Sequence, residues 1–443
     1  MKEKLNLIAA KAKRDKRLKF TSLIHHINEG NLARCYQELK RDKACGIDDI
    51  TVEAYGDNLE KNLTDLVGRL KTKRYRPQPV KRVYIPKPGK REEKRALGLP
   101  TVEDKLVQLM VKKLLESIYE ADFLECSYGF RPGRNCFQAI KSLNEAVMKR
   151  PTNYIVEVDI RKFFDTLNHY WMQRCLEERI TDRNLLWLVR RILKTGVIEE
   201  GQYHASRCGT MQGGNLSPLL ANIYLHYVLD LWFEKKIKPN GKGQMQLIRY
   251  CDDFVACFES KRDAEGFLEA VRERLNQFGL SLSTEKTKMI GFGRSAWQRW
   301  RRGGKKVETF NFLGFTHYCA TSRQGYFKVV HKTTKENLNH KLKEIKEWIK
   351  KIRNLLPLKS WWPVLKAKLI GHYNYFGISG NYPCLKQFYQ QVIKLVFKWM
   401  NRRSQRKSMT WEMFTQYMQW NPLPTPRIYH ALYTLTPKRG MLH

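Results

Sequence analysis

What the chain lacks narrows its class before any motif is read. Its ten cysteines form no CxxC pair and keep no regular spacing, and its histidines do not join them in a zinc-ligand pattern. A disulfide scaffold is thereby excluded, and the cysteines read as reduced, mostly buried residues of a cytosolic protein. No apolar run is long enough to span a bilayer, and Met1 to Phe20 is lysine-rich without the apolar core of a signal peptide, so no membrane partner is expected. Internal repeats are missing and low-complexity sequence is scarce. Acidic residues are few: 43 Asp and Glu stand against 82 Lys and Arg, a formal charge of +39 spread through every segment rather than held in one tail. Such self-repulsion is offset most directly by a polyanion, which points to nucleic acid.

What is present is a mixed pattern of helices and strands, long enough at 443 residues for two or three domains. Asn31 to about Tyr75 reads as helical around a loop at 44–49, and Val80 to Pro86 as a short strand broken by the basic turn Lys87-Pro-Gly-Lys-Arg91. Thr101 and Asp104 resemble a capping box for a helix carrying Leu106, Val107, Met110, Val111, Leu114 and Ile118 at helical spacing. Tyr154 to Asp159 reads as a strand ending on a carboxylate, which serves equally as a cap or as a ligand aimed into a cleft. Gly209 to Gly214 is a flexible loop, with Ser217 and Pro218 as N-cap and first residue of the next helix. Between the apolar runs Leu247-Ile248 and Phe254 to Phe258 lie Asp252 and Asp253, at the tip of an expected hairpin. Asp-Asp is an ordinary turn dipeptide, yet two adjacent anions also suit a divalent metal that holds phosphate oxygens. A helix bearing Ala264, Phe267, Leu268, Val271, Leu275 and Phe278 comes next and is stopped by Gly279.

Beyond it, Arg294, Trp297, Arg299, Trp300, Arg301, Arg302, Lys305 and Lys306 read as a basic loop, either gripping phosphate and stacking on bases or simply solvated. From about Lys332 the pattern is helical, with Leu338, Leu342, Ile345, Ile349 and Ile352 on one stripe and lysines over the rest. A last segment carries Arg402-Arg-Ser-Gln-Arg-Lys407.

Taken in order, these segments resemble a known family along nearly the whole chain: the reverse transcriptases, or maturases, encoded by group II introns. The resemblance rests on Arg95-Ala-Leu-Gly-Leu-Pro100, Ser127-Tyr-Gly-Phe-Arg-Pro-Gly-Arg134, Asp159-Ile-Arg-Lys-Phe-Phe-Asp165, Gly209-Thr-Met-Gln-Gly-Gly-Asn-Leu-Ser-Pro218, Tyr250-Cys-Asp-Asp253, Gly279 through Thr287, and Phe310-Asn-Phe-Leu-Gly-Phe315. It continues into Gly371-His-Tyr-Asn-Tyr-Phe376. The resemblance implies an α+β right-hand polymerase with fingers, a palm built on an antiparallel sheet, and an α-helical thumb followed by a short C-terminal module. The expected divisions are an N-terminal extension and start of fingers at 1–75, fingers and palm at 76–328, thumb at 329–401 and a basic nucleic-acid-binding module at 402–443.

It further implies that Asp159, Asp252 and Asp253 hold two Mg²⁺ ions, with Mn²⁺ as a substitute, and that Lys286 donates a proton to the leaving pyrophosphate. Lys87 and Arg95 are expected at the incoming triphosphate, Gln212 against the nucleotide, and Phe164 as the gate against a ribose 2′-hydroxyl. Arg131, Arg134, Arg301, Arg302, Lys305, Lys306, Arg402 and Arg403 are the expected nucleic-acid contacts. The implied partners are an RNA template, including group II intron RNA, a DNA primer and target, and dNTPs, in a bacterial cytoplasm and at the nucleoid when on DNA.

Some positions depart from the family pattern. Cys251 stands where alanine is usual, Met211 and Ala96 where proline is usual, and two extra residues lie between Lys87 and Arg95. No Cys/His endonuclease cluster comes after the thumb, so a primer from elsewhere is expected. The implied function is RNA-directed DNA polymerisation together with assistance to intron splicing and retrohoming. Two alternatives stand beside it: a free-standing enzyme of this type recruited to DNA repair or phage defence, and a splicing cofactor without polymerase activity, against which the intact Asp159, Asp252 and Asp253 argue.

Overall fold

The computed structural model describes residues 1–86, 94–402 and 409–432. Its eleven strands among these residues are β1 (Val80–Pro86), β2 (Lys94–Leu99), β3 (Tyr154–Asp159), β4 (Val197–Glu199), β5 (Gln202–His204), β6 (Met245–Tyr250), β7 (Asp253–Phe258), β8 (Lys288–Gly291), β9 (Phe310–Phe312), β10 (Phe315–Thr321) and β11 (Phe327–Thr333). They form three sheets, ordered β2-β1-β4-β5, β6-β7-β3-β8 and β11-β10-β9. The chain divides into two compact units: described residues 1–86, 94–139 and 154–289 form the first, and 140–153 with 290–432 the second.

The first unit is organised around β6, β7 and β3. Strand β7 pairs antiparallel with both neighbours, and Phe254, Val255, Ala256, Cys257 and Phe258 are all buried. A run so uniformly apolar belongs to a strand covered on both faces, where each large side chain stabilises by roughly 1.5–3 kcal/mol. The helix Lys261–Gln277 covers part of it, with Phe267 packed on Phe258 and Phe233 and with Val271 and Leu275 buried below. Its first turn is capped by the Ser260 hydroxyl, and its chain reverses at Gly279, whose φ is +74°.

The expected helix after Thr101 runs Val102–Tyr119, and the Thr101 side chain accepts from the Asp104 amide as a cap should. Asp104 is itself buried, fixed by Thr101, by the Gln78 amide and by the Tyr75 hydroxyl. The helix Ser217–Leu225 is buried on nearly every side and continues through two π-helical turns, His226–Asp230 and Phe233–Ile237. Ser217 is not its cap. The Ser217 hydroxyl lies 2.9 Å from Thr210 Oγ1, back toward the glycine loop, and the helix begins without a side-chain cap bond.

The second unit contains β9 to β11 and the helices Lys335–Ile352, Leu358–Phe376, Tyr382–Met400 and Trp411–Trp420. Its core gathers Phe315, Ile349, Trp361, Leu369, Phe388 and Val396. The expected thumb boundary at 328 falls inside β11, because the strand pairs with β10 over its whole length before the helix starts at Lys335. Part of 402–443 joins the same core through Phe414, Leu423 and Leu432, and the Trp362 indole donates to the Asn421 carbonyl at 3.0 Å. The expected basic loop at 294–306 is in part a helix, Arg294–Arg301, whose Ala296 is buried and whose arginines face outward. Its alternation of Arg and Trp hid a helical period behind charge.

Candidate active site

The paired aspartates lie at the two-residue turn between β6 and β7, Asp252 within it and Asp253 at the start of β7. Tyr250 and Asp253 close the ladder opposite one another, so Cys251 and Asp252 alone make the reversal, with Cys251 at φ +60°. Short hairpin turns demand positive φ, and a non-glycine residue meets that demand only under strain. On the other side of β7, Asp253 is the direct cross-strand partner of Asp159, the last residue of β3. Directly paired strand residues point to the same face, so these two carboxylates meet at one end of the sheet. Burial pushes the Asp252 carboxyl above the usual range; the nearby charge of Asp159 adds to this, while a hydrogen bond from Cys251 and the positive field of Arg95 oppose it.

Lys286 is delivered to the same place by backbone. The Ser283 amide donates to the Asp159 carbonyl at 2.8 Å, the Thr287 amide closes a turn onto Ser283, and Lys286 Nζ lies 3.1 Å from Asp159 Oδ2. Both partners are partly exposed, so the ion pair orients more than it stabilises.

The glycine loop is stitched to two other elements. Thr210 donates to the Phe164 carbonyl and Gly209 to the Leu167 carbonyl, each at 2.7 Å, while the Gln212 carbonyl accepts from Gly98 in β2, also at 2.7 Å. A Cβ on Gly209, at φ +84°, would stand 2.7 Å from the Asp165 carbonyl oxygen, so only glycine allows this approach. The loop thus draws together Phe164, Gln212 and the strand that bears Arg95. Phe164 is half-buried, its ring edge-on to the fully packed Phe163 at 5.4 Å. Met211, the departure from proline, rests its sulfur 3.8 Å from the Gln108 amide nitrogen.

Behind the hairpin lies a set of residues that sequence reasoning missed. Arg249, Asp230, Asn222 and Ser127 are fully buried and hydrogen-bonded to one another. The signal was an arginine next to the apolar pair Leu247-Ile248 of β6, directly before Tyr250, and an aspartate in a largely apolar helix. Only the fold shows that the two meet.

Comparison with known proteins identifies the family. Residues 85–317, more than half of the chain, match the family model of the reverse transcriptases (RNA-dependent DNA polymerases). The group II intron-encoded protein LtrA of Lactococcus lactis subsp. cremoris is 30% identical over 438 residues, covering 80% of this chain and 69% of the relative. The chain belongs to the group II intron-encoded reverse transcriptases. Protein YkfC of Escherichia coli (strain K12) is 30% identical over 315 residues, 64% of this chain and 78% of its own length. A shorter match, 29% over 134 residues, joins 30% of the chain to 16% of the nuclear intron maturase 4, mitochondrial, of Arabidopsis thaliana. This reverse transcriptase is therefore an RNA-directed DNA polymerase, which implies an RNA template and a DNA primer.

Reverse transcriptases use divalent metal ions, and the chemistry of this site fits one. Its donors are hard carboxylate oxygens, and Asp252 is desolvated beside a like charge, a condition that a cation relieves. Among the described residues no three His, Cys, Asp or Glu side chains converge on one point, and Asp159 turns to Lys286. The aspartates therefore line one end of the sheet without forming a closed cage.

The expected nucleic-acid contacts divide into two groups. Arg131 is not a surface cation: its side chain is 4% exposed, it pairs with Glu120 at 2.7 Å, and it donates to the carbonyls of Leu124 and Ser127. These contacts tie its guanidinium into the fold, beside the Phe123 ring, rather than leaving it as an open surface charge. Arg134 is likewise engaged, by Glu125 at 2.6 Å and by the ring of Tyr128. By contrast Arg301, Arg302, Lys305 and Lys306 are exposed and make no ion pair among the described residues, Arg301 lying 5.9 Å from the Trp297 ring. Arg402 is exposed over Trp399. Lys87 and Arg403 lie outside the described residues. Among the described residues no helix is long and apolar enough to cross a membrane.

Proposed function

We propose that Asp159, Asp252 and Asp253 are the metal ligands of the polymerase and that the observation carrying this reading is the pairing of Asp159 with Asp253 beside the Asp252 turn. Two Mg²⁺ ions held there would activate the primer 3′-hydroxyl and neutralise the triphosphate. The protein's part is to hold the reactants in line. Arg95 and Gln212, whose segments are joined by the Gly98 hydrogen bond, bind the triphosphate and nucleotide, and Lys87 shares that role. Phe164 presents a ring edge where a 2′-hydroxyl would have to fit and so excludes ribonucleotides. Lys286, whose Nζ lies 3.1 Å from Asp159 Oδ2, protonates the leaving pyrophosphate.

In this reading the first unit supplies fingers and palm, and the helices of the second supply the thumb. The exposed cations of 294–306 and of the helix Lys335–Ile352 grip phosphates without reading sequence. The chain also binds its intron RNA and assists splicing, a role supported by its kinship with intron-encoded proteins and a maturase. The direct test is primer extension on an RNA template by the Asp252→Ala, Asp253→Ala double variant. Loss of extension with RNA affinity retained is expected. Full activity in that variant refutes the assignment.

A further inference from the structure

Arg249 lies in β6, one residue before Tyr250, and is completely buried. A guanidinium is costly to hold away from water unless each of its donors is paired. Here each one is. Nε and Nη2 reach the two carboxylate oxygens of Asp230 at 2.7 and 2.5 Å, Nη2 also donates to Ser127 Oγ at 2.8 Å, and Nη1 donates to Asn222 Oδ1 at 2.9 Å. The remaining bond goes from Nη1 to the carbonyl of Cys251, also at 2.9 Å. Cys251 is the positive-φ residue of the hairpin turn, and the next residue is Asp252.

The partners are held as firmly as the arginine. Asp230 closes the π-helical turn His226–Asp230, a local widening of a kind that recurs at functional sites. Asn222 is tied by its Nδ2 to the Gly129 carbonyl at 2.6 Å, and a Cβ on Gly129 would fall 2.6 Å from the Cys251 amide nitrogen. The Cys126 and Tyr128 backbones bond to both sides of Arg249, at 2.8 and 2.9 Å. The turn is thus backed by a glycine, gripped through its carbonyl and anchored to two helical turns. A buried ion pair adds little stability over apolar side chains of similar volume, so its gain here lies in geometry.

We propose that Arg249, oriented by Asp230 and Asn222, is a positioning residue that locks the Cys251-Asp252 turn and thereby aims the Asp252 carboxylate at the metal position. The inference rests on the reading of Asp252 as a metal ligand. Its test uses the full chain with an RNA–DNA template-primer and Mn²⁺ as the probe, with binding read by electron paramagnetic resonance. The variants are Arg249→Lys, which keeps the charge but loses the fork, and the apolar double Arg249→Met, Asp230→Leu, which removes the pair without stranding either charge. Asp252→Ala is the control for the site itself.

Outer partners of metal ligands characteristically change metal affinity or activity by about 10–100-fold. Either folded Arg249 variant is therefore expected to bind Mn²⁺ about tenfold more weakly and to lose about tenfold in kcat. The KM for dNTP and the template affinity should stay near wild type, and added metal should restore part of the rate. Should Arg249→Lys fail to fold, the double variant gives the answer. Wild-type Mn²⁺ affinity and kcat in a folded Arg249 variant, with Asp252→Ala defective, overturns the positioning role alone. Wild-type Mn²⁺ binding by Asp252→Ala overturns the metal-ligand reading on which it rests.

Discussion

Replacing Arg131 with glutamine separates a fold-holding cation from a phosphate-gripping one. The side chain makes charge-assisted bonds to Glu120 through Nε and Nη2 and to two carbonyls through Nη1, and its guanidinium lies 5.3 Å from the Phe123 ring. Removing one partner of a buried pair costs about 3–5 kcal/mol. Glu120 is 32% exposed and is rehydrated when left alone, which places the loss near the lower limit, about 3 kcal/mol. That corresponds to a factor on the order of 100 in the local opening equilibrium, because each 1.4 kcal/mol is about tenfold. Hydrogen exchange across 120–134 measures it directly. The same variant should leave the salt dependence of RNA binding untouched. Alanine at both Arg301 and Arg302 should instead flatten that dependence by about 0.7 for each single-strand phosphate that is no longer neutralised. Wild-type exchange in Arg131→Gln together with a flattened salt slope would refute the reasoning, since the arginine would then be spending its charge on the polyanion.

Phe164→Val opens the space beside the Phe163 ring without touching the carboxylates, so ribonucleotide incorporation should rise while extension with dNTPs persists; unchanged sugar selectivity in single-nucleotide kinetics would place the gate elsewhere. His372, buried and stacked on Phe388 at 3.7 Å, has its pKa lowered to about 3 by burial and by Lys341. The folded chain keeps it neutral, so its contribution is full above pH 6.5 and falls as the pH drops below that value, by about 2 kcal/mol between pH 6.5 and 5. In His372→Phe this part of the acid sensitivity of the second unit should vanish, and an identical loss in both proteins by pH-dependent unfolding would exclude His372 as its source.

Much of the first unit is legible because its signals are local. The strands at Val80–Pro86 and Tyr154–Asp159, the Thr101 cap and the Gly279 stop depend on neighbours within a few positions, where spacing and turn chemistry decide. The hairpin at Asp252-Asp253 is legible for the same reason. The helix Arg294–Arg301 was obscured because arginines and tryptophans carry no clear apolar period, and Ser217 read as a cap because its hydroxyl's alternative partner, Thr210, sits across a glycine loop.

By itself the sequence determined the family and the polymerase chemistry and singled out the three aspartates as candidates, since motif order and local periodicity survive in one dimension. Only the tertiary structure decided which charges serve the fold and which face outward. Arg131 and Arg301 are both arginines in basic motifs, yet one is enclosed by Glu120 and two carbonyls while the other lies open. Arg249 finds Asp230 nineteen positions away and Ser127 more than a hundred positions away. Whether a charge is enclosed or hydrated depends on which distant segments close around it, and that is settled by packing.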